Sequence, residues 1–306
     1  MTSPIKIRLG NGGIHLFNRS NGLNVLLEEI ATPEHLWSRA PRQVSIALTN
    51  RCDLKCPYCY APKNRALLDS AAVIDWLHEL DANGCLGVGF GGGEPTLFPG
   101  FSALCEIAAT KTQLAITFTT HAHKFDSLLY EQLRGNVHFI RVSMDGVEAT
   151  YEALRGRSFA RLREKLSLIR GLAAFGINYV VNARTLPDLD AAVSIAAEAG
   201  AKEFLLLPES PVRGGGGIDP ETFCKLQNWV WAYRETVPLF ISEAAAEGMP
   251  TCCPIPGETG LSAYAHVDAR GFLRSSSFDE TGVFIGSGGI MKALEALRNQ
   301  SQRYCQ

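Results

Sequence analysis

Apolar residues recur along most of this chain in short strand-like runs, which are separated by segments with helical spacing. Six such runs lie at 43–49 (QVSIALT), 86–90 (LGVGF), 114–120 (LAITFTT), 137–145 (VHFIRVSMD), 177–183 (INYVVNA) and 201–209 (AKEFLLLPE). Alternating strands and helices predict right-handed βαβ units and a parallel sheet, curved into a partial barrel or open and doubly wound. In either fold, the chemistry lies at the carboxyl ends of the strands.

One predicted helix shows its buried face directly in the sequence. Between the fourth and fifth strand-like runs, apolar residues with helical spacing fall on a single face, at Phe159, Leu162, Leu166, Ile169 and Leu172. We expect this face to pack against the sheet.

The two ends of the chain follow different patterns. IKIRLG and IHLF flank Asn11-Gly12-Gly13, which is a hairpin signal and predicts a small β appendage. The regular alternation stops at the glycine-rich segment 210–220, and a helix, a hairpin at 265–274 and a terminal helix follow. We therefore expect an α/β protein in three parts: the appendage at 1–43, the barrel or sheet at 44–212 and an α+β extension at 213–306.

Charge and composition argue against several classes of partner. The 306 residues carry a formal charge of -2, from 29 Lys+Arg and 31 Asp+Glu, so neither nucleic acid nor an anionic membrane is an expected partner. The amino terminus lacks the apolar stretch of a signal peptide, and no run approaches the roughly 18 apolar residues of a membrane span. A cytoplasmic location is expected.

The nine cysteines are an odd number, which argues against a disulfide framework and for reduced thiols. Three of them, Cys52, Cys56 and Cys59, lie just after the first strand-like run. A zinc site normally takes four protein ligands, and the polar residues around these three do not suit buried, inert cysteines. A [4Fe-4S] cluster, ordinarily bound by four cysteines, fits better if one iron is left open for a ligand from outside the protein.

Three motifs carry a resemblance to a known family. The three cysteines and Tyr58 form the pattern C-x3-C-x-aromatic-C, GGEP at 92–95 follows the second strand-like run, and VSMDG at 142–146 ends the fourth. In these motifs the sequence resembles the radical S-adenosylmethionine (radical SAM) superfamily, over residues 44–210. The resemblance implies a partial (β/α)6 barrel, a [4Fe-4S] cluster bound by Cys52, Cys56 and Cys59, and SAM on the open iron.

The resemblance also implies which residues bind SAM. The candidates are Tyr58, Gly92, Gly93, Glu94, Ser143, Arg155 and Asn182. In the family the glycine turn lets a backbone carbonyl meet the amine of SAM, because glycine has no side chain and tolerates positive φ. By the same resemblance Ser143 reaches the ribose or carboxylate of SAM, while Arg155 is either a SAM ligand or solvated.

The implied chemistry begins with an electron that passes from the reduced cluster into SAM. SAM is cleaved to methionine and a 5'-deoxyadenosyl radical, which abstracts hydrogen from an unactivated carbon of the substrate. The expected electron donor is a flavodoxin or a ferredoxin.

Other polar residues lie at the predicted ends of strands. Asp145 either shapes the turn before Gly146 or approaches the substrate. We interpret His121 and His123 as solvated or hydrogen-bonded, because the sequence shows no carboxylate paired with them. Glu209 follows the sixth strand-like run and is a candidate for the pocket.

The remaining cysteines divide into two groups. Cys85, Cys105 and Cys224 are expected to be structural thiols. TCCPIPGETG and the terminal YCQ, which contain Cys252, Cys253 and Cys305, resemble a shortened SPASM or Twitch extension, the segment that carries auxiliary iron-sulfur clusters in many radical SAM enzymes. Either an auxiliary cluster is bound there or it has been lost, and we favour loss because adjacent cysteines rarely bind one cube together.

This combination of motifs favours a maturase of a ribosomally synthesised precursor peptide, which would form a crosslink or a thioether or invert an α-carbon. The β appendage would present a strand edge to the peptide, or would simply close the lower end of the barrel. One alternative is a radical SAM dehydrogenase or mutase of a small molecule. A more distant one is a non-catalytic zinc or redox-sensing binding protein.

Overall fold

A computed structural model gives the structure of the protein. It describes residues 5–211, 216–234, 237–242, 245–251, 255 and 258–303, with the backbone alone at 301–303. No helix in these ranges is both long and apolar enough to cross a membrane.

The amino-terminal residues form a separate antiparallel sheet of three strands. Strands β1 (Ile5–Gly10), β2 (Gly13–Asn18) and β3 (Asn24–Leu27) are hydrogen-bonded in that order. The turn at Asn11-Gly12-Gly13 places Gly10 opposite Gly13, so the predicted hairpin is confirmed. The sequence analysis did not predict the third strand.

The following strands build the centre of a larger parallel sheet. They are β4 (Gln43–Thr49), β5 (Gly87–Gly92), β6 (Ala115–Thr120), β7 (Phe139–Ser143), β8 (Ala174–Val181) and β9 (Phe204–Pro208). These six strands are parallel and pair in sequence order. A doubly wound sheet reverses its strand order at a switch point, and this sheet does not. The structure is therefore the predicted partial (β/α)6 barrel.

Six helices connect these strands and cover the outer face of the sheet. They are α1 (Ser70–Ala82), α2 (Phe101–Lys111), α3 (Ser127–Leu133), α4 (Glu148–Arg155), α5 (Phe159–Leu172) and α6 (Leu189–Ala199). Val44, Ile46 and Leu48 of β4 are fully buried in the apolar core. The alternate residues of β4, such as Ser45, line the cavity on the inner face.

One predicted boundary is corrected by a few residues. Helix α5 ends at Leu172, and Ala174 already pairs with Phe139 of β7, so β8 begins before the strand-like run predicted at 177–183. Pairing with the neighbouring strand outweighs the helical preference of Ala173 and Ala174. The N-cap of α1 is Asp69, whose side chain accepts from the backbone N of Ala72.

The segment after Pro208 extends the same sheet at both of its edges. Helix α7 (Pro220–Ala232) leads to β10 (Leu239–Ile241), which pairs with β9, and α8 (Gly260–Ala263) leads to β11 (Tyr264–Val267), which pairs in parallel with β4. Strands β12 (Phe272–Arg274) and β13 (Val283–Phe284) continue the sheet, and α9 (Gly289–Arg303) ends the described chain. The predicted hairpin at 265–274 is confirmed, and its attachment to the barrel edge is new. The division of the chain into three domains stays a prediction.

The amino-terminal sheet has its polar face buried and its apolar face exposed. Lys6, Arg8 and His15 are each 5% exposed, whereas Ile7 is 59% exposed. Arg8 donates to the carbonyl oxygens of Ala40, Gly84 and Ser262 and pairs with the carboxylate of Glu258. Ala40 and Gly84 precede β4 and β5, so this face closes the amino ends of the barrel strands.

We predict that Arg8→Met lowers the free energy of unfolding by about 3–5 kcal/mol, because the carboxylate of Glu258 and three carbonyls lose a buried donor. Chemical denaturation measures the change. The control is Arg134→Met, whose side chain is 68% exposed and which should change stability by less than about 0.5 kcal/mol. If Arg8→Met loses no more stability than the control, the stabilising role of the bonds from Arg8 to Glu258 and the three carbonyls is contradicted.

Candidate active site

The inner face of the barrel borders a cavity of about 1340 Å³. The loop that contains Cys52, Cys56 and Cys59 lines it at the carboxyl ends of the strands, and Arg19 of the appendage lines it at the amino ends. Sites for one small ligand usually measure roughly 300–1,000 Å³. The cavity therefore has room for a SAM-sized cofactor and a second molecule.

The cysteine loop begins directly after the carboxyl end of β4. Cys52, Cys56 and Cys59 are free and partly exposed, and all three line the same cavity. Burial raises the pKa of the thiols of Cys52 and Cys56. A thiol with a raised pKa stays protonated at neutral pH, so these two free thiols are poor nucleophiles.

The GGEP turn is joined to this loop by its backbone. The N–H of Gly93 donates to Thr49 O at 2.6 Å, and the N–H of Glu94 donates to Arg51 O at 2.8 Å. A Cβ on Gly92 would lie 2.2 Å from Thr49 O, and a Cβ on Gly93 would lie 2.2 Å from Arg51 O. Both glycines are thus required by close contact with the cysteine loop, a reason that the motif alone does not give.

Glu94 connects the ends of two strands and is only 1% exposed. Its carboxylate accepts from the Thr120 hydroxyl at 2.8 Å, from the backbone N of His121 at 3.0 Å and from Thr96. These bonds hold the turn after β5 against the end of β6. Its predicted contact with SAM stays a prediction.

Asp145 is completely buried and bonds to three different elements. Its carboxylate accepts from the Tyr58 hydroxyl at 2.5 Å and from the backbone N of Val180 at 2.7 Å, and it pairs with Arg155. The carboxylate therefore ties the cysteine loop to β8 and to the last turn of α4. These contacts differ from both expected roles, the shaping of the turn before Gly146 and an approach to the substrate, and each of those roles stays a prediction.

Arg155 is a buried cation, and the interpretation of it as a solvated residue is wrong. Its side chain is 9% exposed and lines the cavity. Burial lowers the pKa of the guanidinium, but Asp145 and the neighbouring Tyr58, Cys56 and Tyr151 together outweigh burial and raise it. Its Nε has no hydrogen-bond partner among the described residues. Burial and the same carboxylate raise the pKa of Tyr58.

The two histidines after β6 are hydrogen-bonded, as expected, but one of them has a carboxylate partner that the sequence did not reveal. His121 Nε2 lies 2.8 Å from Asp53 Oδ1, and Asp53 also contacts Arg157. Burial raises the pKa of Asp53, but His121 and Arg157 outweigh burial and lower it. His123 bonds to the Tyr151 hydroxyl at 2.8 Å, and burial together with His121 lowers its pKa to about 4.

The remaining predicted residues occupy different positions. Ser143 ends β7 and lines the cavity. Asn182 is not among the cavity-lining residues: its Oδ1 accepts from the backbone N–H of Arg184 and Thr185, and its Nδ2 donates to Glu209 Oε2 at 2.7 Å. Glu209 does line the cavity, so Asn182 orients a carboxylate that faces it.

Two metal-ligand sets meet at the loop. Cys52, Asp53 and His121 have ligand atoms within 4.8 Å of one another, which is a mixed set of the kind that zinc accepts. Asp53 and His121, however, already form a hydrogen bond with each other. The three cavity-facing thiols are a soft, sulfur-only set with one ligand fewer than a closed cluster needs, and they fit a [4Fe-4S] cluster with one open iron.

The carboxyl-terminal cysteines cannot be placed in the same way. Cys252, Cys253 and Cys305 lie outside the described residues. Both alternatives, that an auxiliary iron-sulfur cluster is bound there and that it has been lost, therefore stay predictions. Of the other thiols, Cys85 and Cys105 are buried as expected, while Cys224 is exposed.

Comparison with known proteins agrees with this geometry. Residues 46–189 match the family model described as Radical SAM superfamily. Over 199 residues the chain is 27% identical to the sporulation killing factor maturation protein SkfB of Bacillus subtilis, covering 62% of this chain and 48% of SkfB. Over 171 residues it is 32% identical to the PqqA peptide cyclase of Gluconobacter oxydans, covering 53% of this chain and 47% of the cyclase. The chain thus spans about half the length of these relatives.

A solved structure shares the fold over nearly the whole chain. Streptococcus suis SuiB bound to its precursor peptide SuiA matches with a TM-score of 0.75 at 15% identity, covering 96% of this chain and 88% of SuiB. Residues 46–189 thus form a radical SAM domain, and the three-cysteine loop lies within it. Members of the radical SAM superfamily use a [4Fe-4S] cluster and SAM. A non-catalytic zinc or redox-sensing protein is not supported.

We predict that Asp145→Ala lowers the free energy of unfolding by about 3–5 kcal/mol, because the buried guanidinium of Arg155 loses its counter-ion. Urea denaturation of the iron-free protein measures the loss independently of the cluster. The control is Asp75→Ala on the exposed face of α1, which should change stability by less than about 0.5 kcal/mol. Equal stabilities of the two variants would contradict the role assigned to Asp145.

Proposed function

We propose that this protein is a radical SAM enzyme that modifies a peptide. The observation that carries the proposal is the loop whose three free thiols face one cavity of about 1340 Å³, at the carboxyl ends of a six-stranded parallel barrel. A [4Fe-4S] cluster held there would supply the electron for cleavage of SAM to methionine and a 5'-deoxyadenosyl radical, and this radical would abstract hydrogen from carbon. The protein must bind, orient and enclose the reactants.

Several residues of this chain are suited to those tasks. Cys52, Cys56 and Cys59 would hold the cluster. Arg155 offers an unpartnered Nε beside the cavity, which suits the carboxylate of SAM, because a buried donor without an acceptor is costly. Glu209 presents a carboxylate to the cavity where Asn182 was expected to act, and carboxylate oxygens suit the hydroxyls of a ribose.

The relatives support a peptide as the substrate. One is named as a maturation protein, another as a peptide cyclase, and SuiB was solved with a bound precursor peptide. We propose that this enzyme likewise acts on a ribosomally made precursor and forms a crosslink or a thioether or inverts an α-carbon. A flavodoxin or a ferredoxin would supply the electron.

The test uses the anaerobically reconstituted protein and any short peptide that is encoded beside its gene. We predict that the peptide accelerates the formation of 5'-deoxyadenosine and leaves the reaction with a changed mass or, for epimerisation, with deuterium gained from the solvent. Liquid chromatography with mass spectrometry measures both. Cys56→Ala should abolish the product and most of the bound iron, whereas Cys224→Ala, which removes an exposed thiol on α7, should retain both.

Equal formation of 5'-deoxyadenosine with and without the peptide, together with an unchanged peptide, would overturn the peptide proposal. A metabolite altered by the same protein would then favour the small-molecule dehydrogenase or mutase. Zinc without iron in the reconstituted protein would overturn the radical chemistry itself.

The outer edge of β3 is the proposed docking position for the peptide. Strand β3 is bonded to β2 on one side, and Val25 and Leu27 are 37% and 38% exposed. An edge strand with exposed apolar residues favours the addition of an extended peptide strand. The opposite face of the sheet is occupied by its contacts with the barrel, so the appendage can close the barrel and bind a peptide at the same time.

We predict that the double variant Val25→Lys and Leu27→Lys weakens peptide binding at least tenfold, about 1.4 kcal/mol, because charged lysines oppose strand addition. Fluorescence anisotropy with the labelled precursor peptide measures the affinity. Leu128→Lys is the matched control, because Leu128 is 67% exposed on α3 and lies outside the appendage. Peptide affinity unchanged by the double variant would contradict docking at β3.

A further inference from the structure

The carboxyl-terminal extension supplies part of the cavity wall. Strand β11 pairs in parallel with β4 and places His266 directly beside Ser45. Ser45, Tyr264 and His266 all line the cavity, on the wall next to the first barrel strand. Neither Tyr264 nor His266 belongs to the matched family segment 46–189, so the family match assigns them no role.

These three side chains form a short hydrogen-bonded chain. Ser45 Oγ lies 2.6 Å from the Tyr264 hydroxyl and 2.6 Å from His266 Nδ1. Within the described part of the chain, Ser45 is the one hydrogen-bond partner of the imidazole. The second ring nitrogen, Nε2, therefore remains available to a molecule in the cavity, as a donor or an acceptor according to the tautomer.

This group of three hydrogen-bonded side chains is uncharged near neutral pH. Burial lowers the pKa of His266 to about 4, because Asp268 only partly offsets the loss of solvation, and Arg274 lowers it further. Burial also raises the pKa of Tyr264. A neutral, buried polar surface gains most from a neutral hydrogen-bonding partner, since an ion would lose its hydration without finding a counter-charge.

The neighbouring strand leaves open space one level above these three side chains, although a Cβ on Gly89 itself would lie 3.2 Å from Thr117 Oγ1. Ser45 pairs with Gly89 of β5, so His266, Ser45 and Gly89 stand side by side on three adjacent strands. Glycine also occupies positions 87 and 91, which share the cavity face of β5 with Gly89. A Cβ on Gly91 would have no atom within 4 Å, so glycine keeps open space at the level above His266.

We propose that His266, oriented by Ser45, binds an uncharged amide or hydroxyl group of the substrate through Nε2. The inference rests on the proposed function, because it assigns the part of the peptide that this wall receives. His266 is a positioning residue in this proposal and takes no part in the radical step. Its place on the extension means that the extension contributes to substrate specificity.

A purely structural role would use the other ring nitrogen. The bond from Nδ1 to Ser45 crosses from β11 to β4 and would by itself help to attach the extension to the barrel. Two substitutions separate the roles, because the amide of asparagine can occupy the place of Nδ1 and the longer amide of glutamine the place of Nε2. His266→Gln should preserve the substrate contact, and His266→Asn should preserve the bond to Ser45.

The test uses the cluster-loaded protein with SAM and N-acetylglycine methylamide, a neutral probe with two amide groups. Ligand-detected NMR measures its affinity, and the carbon-13 signal of His266 in histidine-labelled protein reports where it binds. We expect the probe to shift that signal. His266→Gln should stay within about twofold of the wild-type affinity, and His266→Asn should bind at least fivefold more weakly. Acetate and methylammonium should not displace the probe.

Wild-type affinity in His266→Asn, an unshifted His266 signal, or tighter binding of a charged probe would overturn the proposal. If His266→Asn does not fold, Ser45→Ala serves in its place: weaker probe binding supports the proposal and unchanged binding contradicts it. The probe requires no turnover. If the protein modifies no peptide but binds the probe at His266, the proposed function is contradicted, whereas the binding site at His266 is still supported.

Discussion

The candidate site depends on one buried carboxylate. Asp145 has no exposed surface and accepts bonds from Tyr58, Arg155 and the backbone of Val180. Tyr58 lies between Cys56 and Cys59, so this contact fixes the loop that must carry the cluster. Because Arg155 balances the charge, the buried carboxylate can hold a loop, a helix and a strand together. The glycine turn fixes the other end of the loop through Thr49 and Arg51.

The cavity is bounded by segments outside the matched family region. The polar face of the amino-terminal sheet closes the amino ends of the strands, and β11 adds Tyr264 and His266 to the wall beside β4. In the proposed function the matched segment supplies the chemistry, while the segments on either side of it shape the space for the substrate.

The elements that local sequence patterns specify could be predicted from the sequence. The six barrel strands, the cysteine loop and the terminal hairpins follow from apolar spacing, turn residues and motif order, all of which are local along the chain. Contacts between distant residues were not predictable: Asp53 meets His121 across 68 positions, and Arg8 meets Glu258 across 250. For Arg155 the sequence left open a SAM ligand or a solvated residue, and only the fold shows the carboxylate beside it. The sequence also did not reveal why glycine is required at 92 and 93. The carbonyls that a side chain there would clash with belong to another segment of the chain.

The proposed chemistry requires that Cys52, Cys56 and Cys59 hold a four-iron cluster and leave one iron for SAM. Mössbauer spectroscopy can show this in protein reconstituted anaerobically with isotopically labelled iron and recorded with and without SAM. We expect one iron site that differs from the other three and whose spectrum changes when SAM is added. Four equivalent irons, a spectrum unaffected by SAM, or a protein that binds no iron would contradict it.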